Sequence, residues 1–204
     1  MLSNLTIAII FVMADEIRAF IGLEINAGIR NELTRIQNEL KTRINSGISW
    51  VKPDNIHITL RFLGNIKPEA IASLTQIIEN ICQKTKRFEI NLGALGVFAS
   101  FTRPRVIWVS IDNGLEQLKI IHQHLTEQLK TIGLEPEAQI FHSHLTLGRV
   151  KFLKNNQLLK DAFQNITCDN SLLSLTDKLI LFQSRLSPQG AIYRRIAESN
   201  FLSG

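Results

Sequence analysis

Four residues of this chain combine types and spacing suited to acid–base chemistry on a phosphate. His57 and Thr59 stand in the string His57-Ile58-Thr59-Leu60, and His144 and Thr146 in His144-Leu145-Thr146-Leu147, 87 residues further on. Imidazole titrates near neutrality, so two of them can divide the work, one taking a proton while the other gives one. Threonine hydroxyls can donate hydrogen bonds to the non-bridging oxygens of a phosphate. Together the four groups match metal-free hydrolysis of a phosphodiester, with attack on one side of phosphorus and departure on the other. One His-x-Thr-Leu string carries no information, because a lone strand histidine is most often an ordinary surface or core residue. Two copies in a chain with 5 histidines are a different matter.

The spacing makes sense only on strands. Successive strand side chains point to opposite faces and rise about 3.3 Å per residue, which puts His57 and Thr59 on one face about 7 Å apart. On a helix, residues two apart diverge by about 200°. A polar His/Thr face backed by Ile and Leu suits a sheet covered by helices on one side and open to a cleft on the other. The shift of 87 also carries Arg18 onto Arg105, at the heads of the strings RAFIGLEI and RVIWVSI. It lays one long amphipathic stripe (Ile29, Leu33, Ile36, Leu40, Ile44) loosely over another (Leu115, Leu118, Ile121, Leu125, Leu129, Ile132). Strand, long helix and HxTL strand therefore occur twice in one order. The simplest account is two similar halves whose His/Thr faces share one groove.

Between these landmarks, Ile71, Leu74, Ile78 and Ile81 predict a helix after Pro68, and Gly133 is placed to stop the helix before it. Strands are expected over 18–25, 56–63, 88–98, 105–111, 144–150, 172–183 and 191–197, with a weaker helix near 155–163 and a loop holding Gly47, Pro53 and Asp54. The 204 residues suffice to bury a core, and 45% apolar content excludes disorder. Two cysteines, Cys82 and Cys168, are too few for a disulfide scaffold and are expected as free thiols in a reducing compartment. The net charge of +5 mildly favours a phosphate-bearing partner. The apolar run from Leu5 to Met13 is far short of the roughly 20 residues that span a membrane. It lacks the preceding basic residues of a leader. Residues 1–16 are expected as an amino-terminal extension and 17–204 as one bilobal domain in the cytoplasm.

The stretch Trp50 to Gly64 (WVKPDNIHITLRFLG) resembles the first signature of the 2H phosphoesterases, specifically the RNA 2′,3′-cyclic phosphodiesterases, also called 2′-5′ RNA ligases. Phe141 to Arg149 (FHSHLTLGR) resembles their second. Pro104 to Val109 and the tail from Leu181 to Ile196, with Ser184, Gly190 and Tyr193, are also similar, so the likeness spans about residues 17 to 203. It implies an α+β fold of two pseudo-symmetric lobes, each an antiparallel sheet backed by helices, with the groove between them. It further implies no metal and no other cofactor. RNA ending in a 2′,3′-cyclic phosphate would be opened to a 2′-phosphate, with 2′-5′ ligation as the reverse reaction. His57 would be the proton donor, His144 the proton acceptor, and Thr59 and Thr146 the phosphate holders. The two motifs are nearly symmetric, so their spacing does not say which histidine is the acid; that comes from the resemblance alone. A site contained in one chain needs no partner subunit, and a monomer is expected.

Phe62 and Arg149 lie five positions after their respective histidines. The family pattern favours Arg149 as a phosphate or ribose contact and lets Phe62 pack on a base. Strict alternation puts both on the wrong face, so either role requires a bulge or a strand end. Arg61 has the parity of the groove. Trp50 and Tyr193 are expected to be buried rather than to stack on bases, and His122 and His124 to be solvent-exposed. His142-x-His144 could ligate zinc from one strand face, but that reading leaves the first motif unexplained. Two alternatives stand beside the leading one: a 2H enzyme for a small cyclic nucleotide, and a non-catalytic module that binds RNA ends.

Overall fold

A computed structural model describes residues 16–44, 47–188 and 190–203. In chain order the elements are β1 (Ile17–Leu23), α1 (Ala27–Arg43), β2 (Ile48–Trp50), a 3-10 turn (Pro53–Asn55), β3 (Ile58–Ile66) and α2 (Ala70–Cys82). The chain continues through β4 (Phe88–Ile90), β5 (Leu92–Ala99), β6 (Pro104–Ile111), α3 (Leu115–Lys130) and β7 (His144–Val150). It closes with α4 (Gln157–Asn165), β8 (Ser174–Thr176), β9 (Lys178–Ser187) and β10 (Gly190–Asn200). The main sheet runs β10-β9-β1-β3-β7-β6-β5, with β2 added against β7 and every ladder antiparallel. β4 and β8 form a separate two-stranded ribbon.

The duplication read in the sequence is visible at the middle of this order. β3 and β7 pair through Ile58 and Leu145, two residues that the shift of 87 equates. An approximate two-fold therefore passes between them, with β9-β1-β3 on one side and β7-β6-β5 on the other. Each half sends its long helix over the back of the sheet, where Ile29, Leu33, Ile36 and Leu40 of α1 and Leu118, Ile121, Leu125 and Leu129 of α3 are fully buried. These residues join Ile21, Ile58, Leu60, Leu145 and Leu147 in one continuous apolar core, which leaves the opposite sheet face free to form the groove. Asn26 starts α1 by accepting from the Ile29 amide at 2.9 Å, a side-chain cap for one of the helix's free N–H groups. Lys41 and Arg43 in its last turn suit the negative end of the helix dipole.

The observed elements depart from the expected ones where side chains interrupt a strand or a loop finds a partner. Ile48 and Trp50 pair with Val150 and Gly148, so a short strand replaces part of the expected loop. The strand expected over 88–98 breaks at Asn91, whose side chain accepts from the Asn113 amide and donates to the Asn170 carbonyl. At Asp177, which interrupts the stretch 172–183, the main-chain carbonyl takes the Phe201 amide at 2.7 Å. Apart from Glu16, the amino-terminal extension lies outside the described residues. Among the described residues no helix is long and apolar enough to cross a membrane.

Candidate active site

The register at the centre of the sheet assembles the four motif side chains. With Ile58 opposite Leu145 in an antiparallel pair, the residues on either side, His57 and Thr59 of one motif and His144 and Thr146 of the other, are brought close together. All four lie on the face away from the helices and remain half-buried, whereas Ile58, Leu60, Leu145 and Leu147 point into the core.

Each motif strand then carries a bulge at the same place. Along β1–β3 the pairing steps from Gly22↔Thr59 to Ile21↔Arg61, leaving Leu60 extra. Along β6–β7 it steps from Trp108↔Thr146 to Ile107↔Gly148, leaving Leu147 extra. An extra residue inverts the alternation beyond it, so residues five past each histidine swing to the groove face. Phe62 is accordingly 54% exposed there, beside Phe20. Arg149 lines the same cavity and lies close enough to both histidines to oppose their protonation. The same inversion corrects the expectation for Arg61. It is turned to the helix side, 4% exposed, and donates to the Glu135 carbonyl rather than facing the groove.

The β7 bulge has a dedicated support. Gln37, 1% exposed on the apolar stripe of α1, donates from Nε2 to the carbonyls of Leu147 and Val51, each at 2.8 Å. The Val51 amide also donates to the Leu147 carbonyl. The bulged peptide is thus held from the back, which matters because a buried unpaired carbonyl is costly. Sequence reading passed over Gln37; the available signal was an amide one turn beyond Leu33 on an otherwise apolar helix face.

Both imidazoles are oriented by one device. Nδ1 of His57 donates to the Asn55 carbonyl at 2.7 Å and Nδ1 of His144 to the His142 carbonyl at 2.6 Å. A carbonyl only accepts, so the proton of each neutral ring sits on Nδ1 and Nε2 is left to work in the groove. His57 Nε2 lies 3.0 Å from the Thr59 hydroxyl. Its ring stacks on Phe20 (centroids 4.6 Å apart) with the Tyr193 ring edge-on at 5.0 Å. Burial in this aromatic nest pushes the His57 pKa down to about 4, despite the opposing pull of the Asn55 carbonyl. His144 packs edge-on against Phe98 at 4.8 Å, and burial lowers its pKa too.

Two cavities flank this centre and share Thr59 and Phe62. The one beside His57, about 430 Å³, is lined by Arg18, Phe20, Arg149, Ser184 and Tyr193 among others. The one beside His144, about 790 Å³, is lined by Phe98, Arg105, Glu137, Ile140, Phe141 and others. Tyr193 is half-buried against Phe20 and Phe182 and also lines the groove, because β10 pairs it with Ser184 on the groove face of β9. Trp50 lies away from the groove, packed over Gly148 with Lys41 5.7 Å from its ring centroid. His122, expected at the surface, stacks on Phe141 at 4.2 Å and is half-buried, as is His124. His142 is exposed and packs on Trp108. Cys82 and Cys168 are free thiols, as expected.

The two-halved antiparallel sheet that carries the His/Thr pairs on one open face is also found in known proteins. Its fold is similar to that of TT0787 of Thermus thermophilus (TM-score 0.78, 19% identity, 90% of this chain and 97% of that one). It is also similar to E. coli LigT in apo form (TM-score 0.74, 21% identity, 92% and 99%). The model of the LigT-like phosphoesterases matches residues 23–108. A Methanocaldococcus jannaschii protein named RNA 2′,3′-cyclic phosphodiesterase is 32% identical over 182 residues, 89% of this chain and 99% of that protein. One of the same name from Aeropyrum pernix is 35% identical over 149 residues, 72% of this chain and 83% of that protein. The chain belongs to this family of LigT-like phosphoesterases.

Proposed function

We propose that the groove hydrolyses RNA 2′,3′-cyclic phosphate ends to 2′-phosphates without a metal. The observation that carries this reading is the Ile58–Leu145 pairing, which draws two histidines and two threonines around one point on the open face of the sheet. The relatives' name, RNA 2′,3′-cyclic phosphodiesterase, supports the substrate.

The division of labour follows the family resemblance. His144 Nε2 takes a proton from water as its oxygen attacks phosphorus. The bond from phosphorus to O3′ breaks on the opposite side, and protonated His57 gives that oxygen its proton. Thr59 and Thr146 hydroxyls donate to the non-bridging oxygens, and Arg149 offsets the charge that gathers on them. The low pKa of His57 fits this role only with substrate present, because an anionic phosphate beside the ring favours the imidazolium. With a 5′-hydroxyl in place of water as the nucleophile, the same positions open the ring, break the phosphorus–O3′ bond and join two RNA ends through a 2′-5′ bond. All of these groups belong to one chain, which supports a monomer, with residues 17–204 acting as one bilobal unit in the cytoplasm.

The test is an oligonucleotide with a 2′,3′-cyclic phosphate end, incubated with the protein in EDTA. A 2′-phosphate product is expected. No turnover, turnover restored only by a divalent ion, or a 3′-phosphate product would overturn the proposal. Faster turnover of mononucleoside cyclic phosphates than of oligonucleotides would move the substrate to a small cyclic nucleotide. Tight binding without product would make the protein an RNA-end binding module.

A further inference from the structure

The second residues of β1 and β6, strands equated by the shift of 87, are both arginines, and the structure puts one on each flank of the reacting centre. Arg18, equated with Arg105 by the shift of 87, lines the cavity beside His57, and Arg105 lines the cavity beside His144. Both are exposed. Neither takes part in the ion pairs formed among the described residues. The carboxylate that shares the Arg105 cavity, Glu137, accepts from the Phe62 amide at 3.2 Å.

The geometry of the reaction sorts the flanks, an argument that rests on the proposed cyclic phosphate hydrolysis. The leaving O3′ and the retained O2′ belong to one ribose, so the terminal nucleoside lies on the side of the acid, His57. Phe62 and Tyr193 offer that nucleoside ring surface. The next group along its strand is the phosphodiester on its 5′ carbon. On the other flank the nucleophile enters beside His144. A water molecule needs about 30 Å³, whereas the cavity there holds about 790 Å³ and is walled by Phe98 and Phe141. Aromatic walls with a guanidinium at the rim suit an unstacked base and its neighbouring phosphate.

We propose that Arg18 and Arg105 are the outer phosphate contacts of a two-sided nucleotide groove. Arg18 binds the 5′ phosphodiester of the strand ending in the cyclic phosphate. Arg105 binds the first internucleotide phosphate of a second strand, whose 5′-hydroxyl takes the place of water. In that reaction the O5′–phosphorus bond forms and the phosphorus–O3′ bond breaks. His144 takes the 5′-hydroxyl proton and His57 supplies one to O3′.

Arg18→Ala and Arg105→Ala, each compared with the unmodified protein, separate the two roles. Arg18→Ala is expected to lower kcat/KM for a cyclic-phosphate oligonucleotide about tenfold through KM, as loss of a charge-assisted contact does. A nucleoside 2′,3′-cyclic phosphate, which has no 5′ phosphate, should keep its rate within twofold, and this also shows that the variant is folded. The slope of log KM against log salt for the oligonucleotide should fall by about 0.7, the value of one single-strand phosphate contact. Arg105→Ala should raise about tenfold the concentration of a 5′-hydroxyl dinucleotide that half-saturates formation of the 2′-5′ product, a larger change than in either hydrolysis. Equal losses on both hydrolytic substrates, or an unchanged salt slope, overturn the Arg18 assignment. An unsaturable or Arg105-independent transfer, or no transfer product from the unmodified protein, overturns the Arg105 assignment. If the unmodified protein hydrolyses neither substrate, the hydrolytic reading fails on its own. Titrating a 2′-phosphate oligonucleotide and a 5′-hydroxyl dinucleotide into the two variants then decides the arginines: affinity unchanged from the unmodified protein rejects them.

Discussion

The two halves of the molecule share a backbone plan and differ in what surrounds their histidines. In both, the ring is held through Nδ1 by a carbonyl two residues back, and in both a bulge follows the threonine by one residue. Around His57, however, β9 and β10 add Phe182 and Tyr193 to Phe20 and enclose the ring. Around His144, β5 contributes Phe98, and the wide cavity opens directly beside it. Five residues on, one half presents a phenyl ring and the other a guanidinium. The two halves thus hold two imidazoles in matching positions, and the difference between the flanks makes their surroundings unequal.

The largest expected effect tests whether the halves act as one unit. His57→Ala and His144→Ala should each lower kcat on a cyclic-phosphate oligonucleotide by about 10²–10⁴-fold, with the double variant little worse than either single one. Steady-state rates that multiply in the double variant would mean that the histidines work independently. The next comparison sets the two fifth positions against each other. Arg149→Ala should cost about 10- to 100-fold in kcat/KM if it makes the proposed charged contact to phosphate, whereas Phe62→Ala should raise KM only about threefold through lost stacking. Equal losses would mean that the bulges do not distinguish the halves.

Gln37→Leu breaks the support of one bulge only. Chemical denaturation should show a loss of about 1–3 kcal/mol, because the Val51 carbonyl loses its partner and the Leu147 carbonyl keeps only the Val51 amide. KM should rise as Arg149 leaves its place, with kcat less affected. A KM unchanged from the native protein would detach Gln37 from the site. The smallest effect is in pH. Because burial lowers both imidazole pKa values in the free protein, the kcat/KM optimum should fall below pH 6.5, and bound phosphate should shift the kcat optimum upward. For stability the sign is opposite to that of a stabilised cation: the folded His57 pKa, about 4, lies below its unfolded value near 6.5. The unfolded chain therefore binds the proton first, and Tm should fall as pH drops from 6.5 toward 4, less so in His57→Ala.

Much of this was legible in the residues. The twofold His-x-Thr-Leu string assigned the face of four side chains, because a period of two needs only a strand to become geometry. The stripes at Ile29, Leu33, Ile36 and Leu40 and at Leu118, Ile121, Leu125 and Leu129 located the helices that cover the other face. Arg61, Phe62 and Arg149 were legible only up to their parity. A bulge leaves no distinct residue type behind, and Leu60 and Leu147 look like any core leucine. Tyr193 was legible only in part for a related reason: its place at the groove depends on which strand it pairs with, and β9 is contiguous in sequence but joins β1 across the whole chain.

The local pattern by itself determined the duplicated strand–helix–strand plan, the groove-facing pairs His57/Thr59 and His144/Thr146, and the apolar backing that makes those strands amphipathic. These follow from alternation and helical periodicity, which act over a few residues. Tertiary structure decided the rest. It chose the register that sets Ile58 against Leu145, the bulges that bring Phe62 and Arg149 forward and turn Arg61 back, and the aromatic enclosure that lowers the His57 pKa. Pairing partners, bulge carbonyls and desolvation depend on groups far apart in sequence, 87 residues for Ile58 and Leu145 and 110 for Gln37 and Leu147, and such distances are closed only by the fold.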